Sequence, residues 1–162
     1  MRFTVDQDLD GAPHDVARAY ADPDLYLAFA DLPKMSRPEV VAHEASDAQV
    51  RLKIRYRFSG HLSSAAQAVL DPARLTWVED AVHDLESLTT TFRMIPDHYG
   101  DRFTCSGSYR FEPDGTGTRR HCEGQIKVRA LLVGGAVENA IVSGLREHLA
   151  AEVAVVEAFL KA

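Results

Sequence analysis

Residues 131–162 read LLVGGAVENAIVSGLREHLAAEVAVVEAFLKA. Within them Val133, Val137, Ile141, Leu145, Leu149, Val153, Val156 and Leu160 recur at threes and fours with no proline between them, the period of one apolar helix face. The stretch predicts one C-terminal helix of roughly 28 residues, ~42 Å at 1.5 Å per residue. A sheet of sequential antiparallel strands has one face that needs cover. This helix is the only element in the chain long and apolar enough to supply it.

Working outward, the preceding sequence has a period of two. In Val50-Arg51-Leu52-Lys53-Ile54-Arg55-Tyr56-Arg57-Phe58 each apolar residue is followed by a cation, a strand with one dry and one wet face. Strands are also predicted over 2–9 (Phe3, Val5, Gln7 and Leu9 alternating), 39–45, 74–83 around Trp77, and 88–95. Residues 102–112 and 117–129 flank the turn cluster Pro113-Asp114-Gly115-Thr116-Gly117 and form a long hairpin. The alternation leaves open which face of 74–83 points inward. After strand one, Pro13 opens a helix to about Ala21, and a second short helix spans about 23–31 before Pro33 and Pro38 forbid continuation. Residues 63–70 fit either a helical turn or a continued sheet edge. The element order is therefore strand, two short helices, six strands and one long helix, an α+β domain with a seven-stranded antiparallel sheet.

The chain has 162 residues, the size of one domain, and its 46% hydrophobic and 26% charged residues suffice for a real core. Its 18 bases and 24 acids leave a net charge of -6, which disfavours nucleic acid as a partner. No run approaches a membrane span, and Met1 to Asp10 lacks the basic start and apolar run of a signal peptide. The expected location is the cytoplasm, with no integral membrane association. Cys105 and Cys122 have no zinc-like or CxxC spacing and are expected as reduced core thiols.

This element order resembles the helix-grip fold of the START-like, or SRPBCC, superfamily of lipid-transfer domains, plant allergens and polyketide cyclases. The resemblance covers essentially residues 1–162. Shorter segments are similar to an uncharacterised, mostly actinobacterial family within it: Val69-Leu70-Asp71-Pro72-Ala73-Arg74-Leu75-Thr76-Trp77-Val78-Glu79, Ile95-Pro96-Asp97-His98-Tyr99, Cys105-Ser106-Gly107, Leu132-Val133-Gly134-Gly135 and Ile141-Val142-Ser143-Gly144-Leu145-Arg146-Glu147-His148-Leu149. The resemblance implies a curved sheet wrapped around the long helix and a cavity that takes a lipid, sterol, polyketide or similar small hydrophobic molecule. It names no ligand and no reaction.

The residues expected on that cavity are Tyr56, Trp77, Phe92, Met94, Cys105 and Tyr109 from the sheet, with Val137, Ile141 and Leu145 from the helix. Counting the hairpin from its turn pairs Phe111 with Arg120, Tyr109 with Cys122, Gly107 with Gly124 and Cys105 with Ile126. The two opposed glycines leave a dent, either for the helix or for a ligand. Gly144 calls for the same choice between close contact and cavity room. Asp97 and His98, in the turn after Pro96, are weak catalytic candidates. Together with Tyr109 they define the alternative of a cyclase-like enzyme, which requires all three to converge on the cavity. His148 and Glu152 lie one helical turn apart without an HExxH pattern and are expected as a solvent-facing pair. The sequence has no nucleophile elbow, phosphate loop or dinucleotide fingerprint, so neither a metal nor a cofactor is expected. The cations Arg51, Lys53, Arg55 and Arg57 are expected on a solvated face offset by acids near Glu79 and Asp80. A third alternative is an interaction module using that face or the helix exterior, as a homodimer.

Overall fold

The computed structural model describes all residues, Met1–Ala162, as one sheet gripping one helix. In chain order the elements are β1 (Arg2–Leu9), α1 (Pro13–Tyr20), α2 (Pro23–Leu27), β2 (Glu39–Ala45), β3 (Gln49–Arg57) and α3 (Ser64–Gln67). After a 3-10 turn (Pro72–Arg74) follow β4 (Thr76–Asp84), β5 (Thr89–Pro96), β6 (Phe103–Asp114), β7 (Gly117–Val128) and α4 (Gly134–Lys161). All neighbours are antiparallel in the order β1-β7-β6-β5-β4-β3-β2, so β2 to β7 form a meander and β1 closes onto its far edge.

Period-two alternation sends Val50, Leu52, Ile54 and Tyr56 of β3 into the core and leaves the four cations outside. The register Tyr56↔Trp77 and Ile54↔Glu79 fixes the parity of β4, whose inner face is Trp77, Glu79, Ala81 and His83. Glu79 therefore lies on the core side and does not offset the outer cations. That task falls to Asp80, which Arg51 grips through Nε and Nη2 at 2.7 Å each and Arg93 through Nη2 at 3.1 Å. The paired guanidinium of Arg51 holds the Asp80 carboxyl down at about 2.

The β6–β7 hairpin has the register counted from its turn, including Phe111↔Arg120, Tyr109↔Cys122, Gly107↔Gly124 and Cys105↔Ile126, around a two-residue tip at Gly115-Thr116. The dent at the paired glycines takes neither the helix nor a ligand. A Cβ on Gly124 would lie 2.3 Å from Phe3 Cζ, and one on Gly107 would lie 2.8 Å from Phe92 Cζ. The aromatic rings of the neighbouring strands fill it.

Helix α4 buries Val137, Ile141, Leu145, Leu149 and Val156, each worth roughly 1.5–3 kcal/mol of apolar transfer. At Gly144 a Cβ would come within 2.7 Å of the Phe58 ring, so this glycine serves close contact rather than cavity room. The helix begins at Gly134, not Leu131, because Leu132 holds a left-handed φ of 67°, outside the right-handed helical region. The second short helix stops at Leu27, short of the expected 31, and 63–70 resolves as the helical turn α3. No helix is long and apolar enough to cross a membrane.

Candidate functional site

Between the inner face of the sheet and α4 lies a cavity of about 30 Å³, walled by apolar residues and by an unusual number of polar ones. Strand β4 contributes Trp77 and Glu79, β5 Met94, and the hairpin Tyr109 and Arg120. Helix α4 supplies Leu145, His148, Leu149 and Glu152, while Tyr20, Tyr26 and Met35 close the side near the short helices. Tyr56 completes the wall, its ring 6.2 Å from those of both Trp77 and His148.

The polar wall is built from the ends of the sequence. Arg120, only 5% exposed, donates from Nη1 to Gln7 Oε1 at 2.6 Å and reaches Glu152 Oε2 at 3.4 Å. Its guanidinium lies 3.6 Å from the ring centres of both Tyr20 and Tyr109, a cation held between two π faces. Tyr20 donates its hydroxyl to Glu152 Oε2 at 3.0 Å. His148 Nδ1 donates to the Pro33 carbonyl at 3.0 Å, and its Nε2 lies 3.4 Å from Glu152 Oε1.

His148 and Glu152 are thus buried (3% and 5% exposed), correcting the expected solvent-facing pair. The face of α4 that packs on the sheet runs Ile141, Leu145, His148, Glu152, Val156, and both polar residues sit inside it.

The charge states follow from these contacts. Burial disfavours the Glu152 carboxylate, but His148 and Arg120 overcome it and hold the group below its usual range. Burial likewise opposes charge on His148, yet the Glu152 contact outweighs it and raises the imidazole. Glu79 has neither hydrogen-bond nor ion-pair partner. Burial pushes its carboxyl up to about 7, and the Arg120 and His148 charges offset only part of that. Trp77 Nε1 and Arg120 Nε are buried without a hydrogen-bond partner as well.

Five residues expected at a ligand site, Tyr56, Trp77, Met94, Tyr109 and Leu145, line this cavity together. Phe92, Cys105 and Val137 are buried behind the wall without reaching it. Ile141 faces a second, smaller void of about 20 Å³ at the rim, bounded also by Trp77, Arg74, His98, Tyr99 and Phe103. Trp77 is common to both voids and stands between them.

Asp97, His98 and Tyr109 do not converge. Asp97 turns outward to Arg55 (3.3 Å), His98 is exposed on the rim with Arg74 Nη2 3.3 Å from its Nδ1, and Tyr109 stacks on Arg120 in the interior. The inner polar residues Gln7, Tyr20, Tyr26, Glu79, Arg120, His148 and Glu152 are the ones that sequence reasoning missed as a site. Gln7 stands in phase with Phe3, Val5 and Leu9, and Arg120 opposite Phe111. Polar side chains on a face otherwise read as apolar were the available signal.

The overall structure is that of START-like, SRPBCC proteins. A Thermus thermophilus protein, TTHA0849, superposes with a TM-score of 0.69 at 19% identity, over 99% of this chain and 97% of that one. The Zhui aromatase/cyclase from Streptomyces sp. R1128 gives 0.66 at 14% identity, over 99% and 93%. A START superfamily protein from Mycobacterium smegmatis gives 0.56 at 12% identity, over 99% and 97%. At these identities the likeness is one of fold. No curated protein matches the sequence. A model of the family described as "Protein of unknown function (DUF2505)" matches residues 4–160.

Proposed function

The chain belongs to the DUF2505 family, and from that premise we propose that it binds a small, largely apolar molecule carrying at least one polar group, between the sheet and α4. The observation that carries this reading is the cavity-lining pair Trp77 and Glu79, an indole N–H and a carboxyl that no group in the protein satisfies. A core selected for stability alone pairs its buried polar atoms or replaces them with apolar ones. Here a donor and a carboxyl of near-neutral pKa are left for an occupant, in a wall otherwise made of tyrosine rings, methionine and leucine.

A void of about 30 Å³ holds on the order of two waters. A lipid, sterol or polyketide-sized ligand therefore enters by displacing wall side chains, and the unbranched Met35 and Met94 yield most readily. Trp77 is the shared boundary with the rim void, so rotation of its ring joins the two spaces and opens the route inward. In this reading Tyr56, Trp77, Met94, Tyr109 and Leu145 touch the ligand, Phe92, Cys105 and Val137 support them, and Ile141 lies along the route.

The test is native mass spectrometry of protein purified gently from its own host, repeated after denaturation. An apolar compound that travels with the folded chain and is released on unfolding is the expected result. A clean mass, together with no stabilisation by any lipid, sterol or polyketide of a broad panel, overturns the proposal.

A further inference from the structure

Between β7 and α4 the chain makes a turn that places two leucines outside the fold. Leu131 is 89% exposed and Leu132 97%, by a wide margin the most exposed large apolar side chains in the protein. The turn is a fixed one. Leu132 is held at φ 67°, a conformation that a γ-branched residue adopts only under constraint. Gly134 N donates to Ala130 O at 2.9 Å, and a Cβ on Gly134 would meet Val128 O at 2.4 Å. The tight crossing from strand to helix thus presents both leucines to solvent.

Around them the charge is opposite to that of the protein as a whole. Arg129 donates its backbone N–H to Arg102 O at 2.7 Å, which sets the loop after β5 beside this one. Arg102 and Arg129 are exposed and form no ion pair, and Lys127 is 61% exposed, with only a 3.9 Å approach to Glu138. Glu138 itself is buried, and the Met1 amino group lies 3.5 Å from it. The exposed acids in the neighbouring loop are Asp97, which pairs with Arg55 at 3.3 Å, and Asp101.

We propose that the Leu131-Leu132 turn, flanked by Arg102, Lys127 and Arg129, docks the protein on an anionic lipid surface. Paired apolar side chains enter the acyl boundary while cations at the base of the turn meet anionic headgroups, an arrangement that gives weak, reversible and salt-sensitive attachment. A second copy of the chain fits less well, because two leucines fall far short of the area that a stable protein interface buries and because like charges would face each other. The proposal is independent of the cavity reading: it needs neither Glu79 nor a ligand.

The test is co-sedimentation of the full chain with vesicles of phosphatidylcholine alone and with a minority of phosphatidylglycerol. Wild type is expected to sediment with the anionic vesicles, less so as salt rises, and only weakly with the neutral ones. Leu131→Ser/Leu132→Ser and Arg102→Gln/Arg129→Gln should each weaken partitioning about ten-fold or more while melting like wild type, since these side chains contribute little to the core. The proposal is overturned if wild type binds neither vesicle or if the leucine variant sediments unchanged. It is equally overturned if the leucines instead drive self-association seen by analytical ultracentrifugation without vesicle binding.

Discussion

Replacing Glu79 by glutamine keeps the shape of the side chain and removes its ionisation. Burial raises the carboxyl from 4.5 to about 7, so the folded protein holds a proton there that the unfolded chain has already released. Stability therefore falls as pH rises: the penalty begins above the unfolded value, grows through the interval and is complete once the pH exceeds the folded value. At 1.36 kcal/mol per pK unit the displacement is worth about 3 kcal/mol, an upper limit because Glu79 is only half-buried. Glu79→Gln should match wild type within roughly 0.5 kcal/mol at about pH 4, and exceed it by up to ~3 kcal/mol at about pH 8.5. For a domain of this size that corresponds to a melting point higher by roughly 2–4 °C per kcal/mol. Urea denaturation of both proteins across the range measures the difference directly, and contributions from His148 and the surface acids largely cancel between them. A difference that does not vary with pH, or a variant that loses more stability at alkaline than at acidic pH, would refute the claim that the carboxyl is unpaired.

Three further outcomes follow from the same contacts. Glu152→Leu leaves Arg120 and His148 buried without their shared carboxylate and should cost about 3–5 kcal/mol in urea denaturation, with a matching fall in melting temperature. Gly144→Ala should destabilise, despite a gain of ~1 kcal/mol in helix propensity, because the new Cβ meets the Phe58 ring. Phe58→Leu in the same chain should make that alanine markedly better tolerated, a coupling that a double-mutant cycle reads. His121, hydrogen-bonded to Asp6 and Glu123 on the outer face, has its imidazole pKa raised chiefly by Asp6. Its contribution to stability is therefore fully present below the ordinary histidine value and is lost as pH rises through the raised one. Thermal melts of His121→Gln should lack that loss.

The sheet and α4 are legible in the sequence because each element carries its own period over eight or more residues, and the hairpin register because it is counted from one turn. The site is much less so. Its central contacts join residues far apart in the chain: Arg120 to Gln7 across 113 positions and Gln7 to Glu152 across 145. No local pattern reports such pairings. Glu79 reads as an outer acid because one residue of parity separates it from Asp80, and only pairing with β3 decides which of the two faces the core. His148 and Glu152 read as solvent-facing because charged residues on a helix usually are. Their burial depends on Arg120 arriving from β7 to compensate Glu152. Tyr56, Trp77, Met94, Tyr109 and Leu145 are found because large side chains in phase with an apolar face reach the same interior whatever occupies it.

Trp77 is the only tryptophan in the chain and lies on the cavity wall beside Glu79, so its emission reports occupancy without a label. The most direct measurement is a fluorescence titration of wild type and of Glu79→Leu with amphipathic aromatic and sterol-like compounds. The account predicts a saturable, one-to-one change in Trp77 emission for at least one compound, weakened at least ten-fold when the Glu79 carboxyl is replaced. Emission unmoved by every compound, or binding that is indifferent to the loss of that carboxyl, would contradict the claim that this cavity is a ligand site.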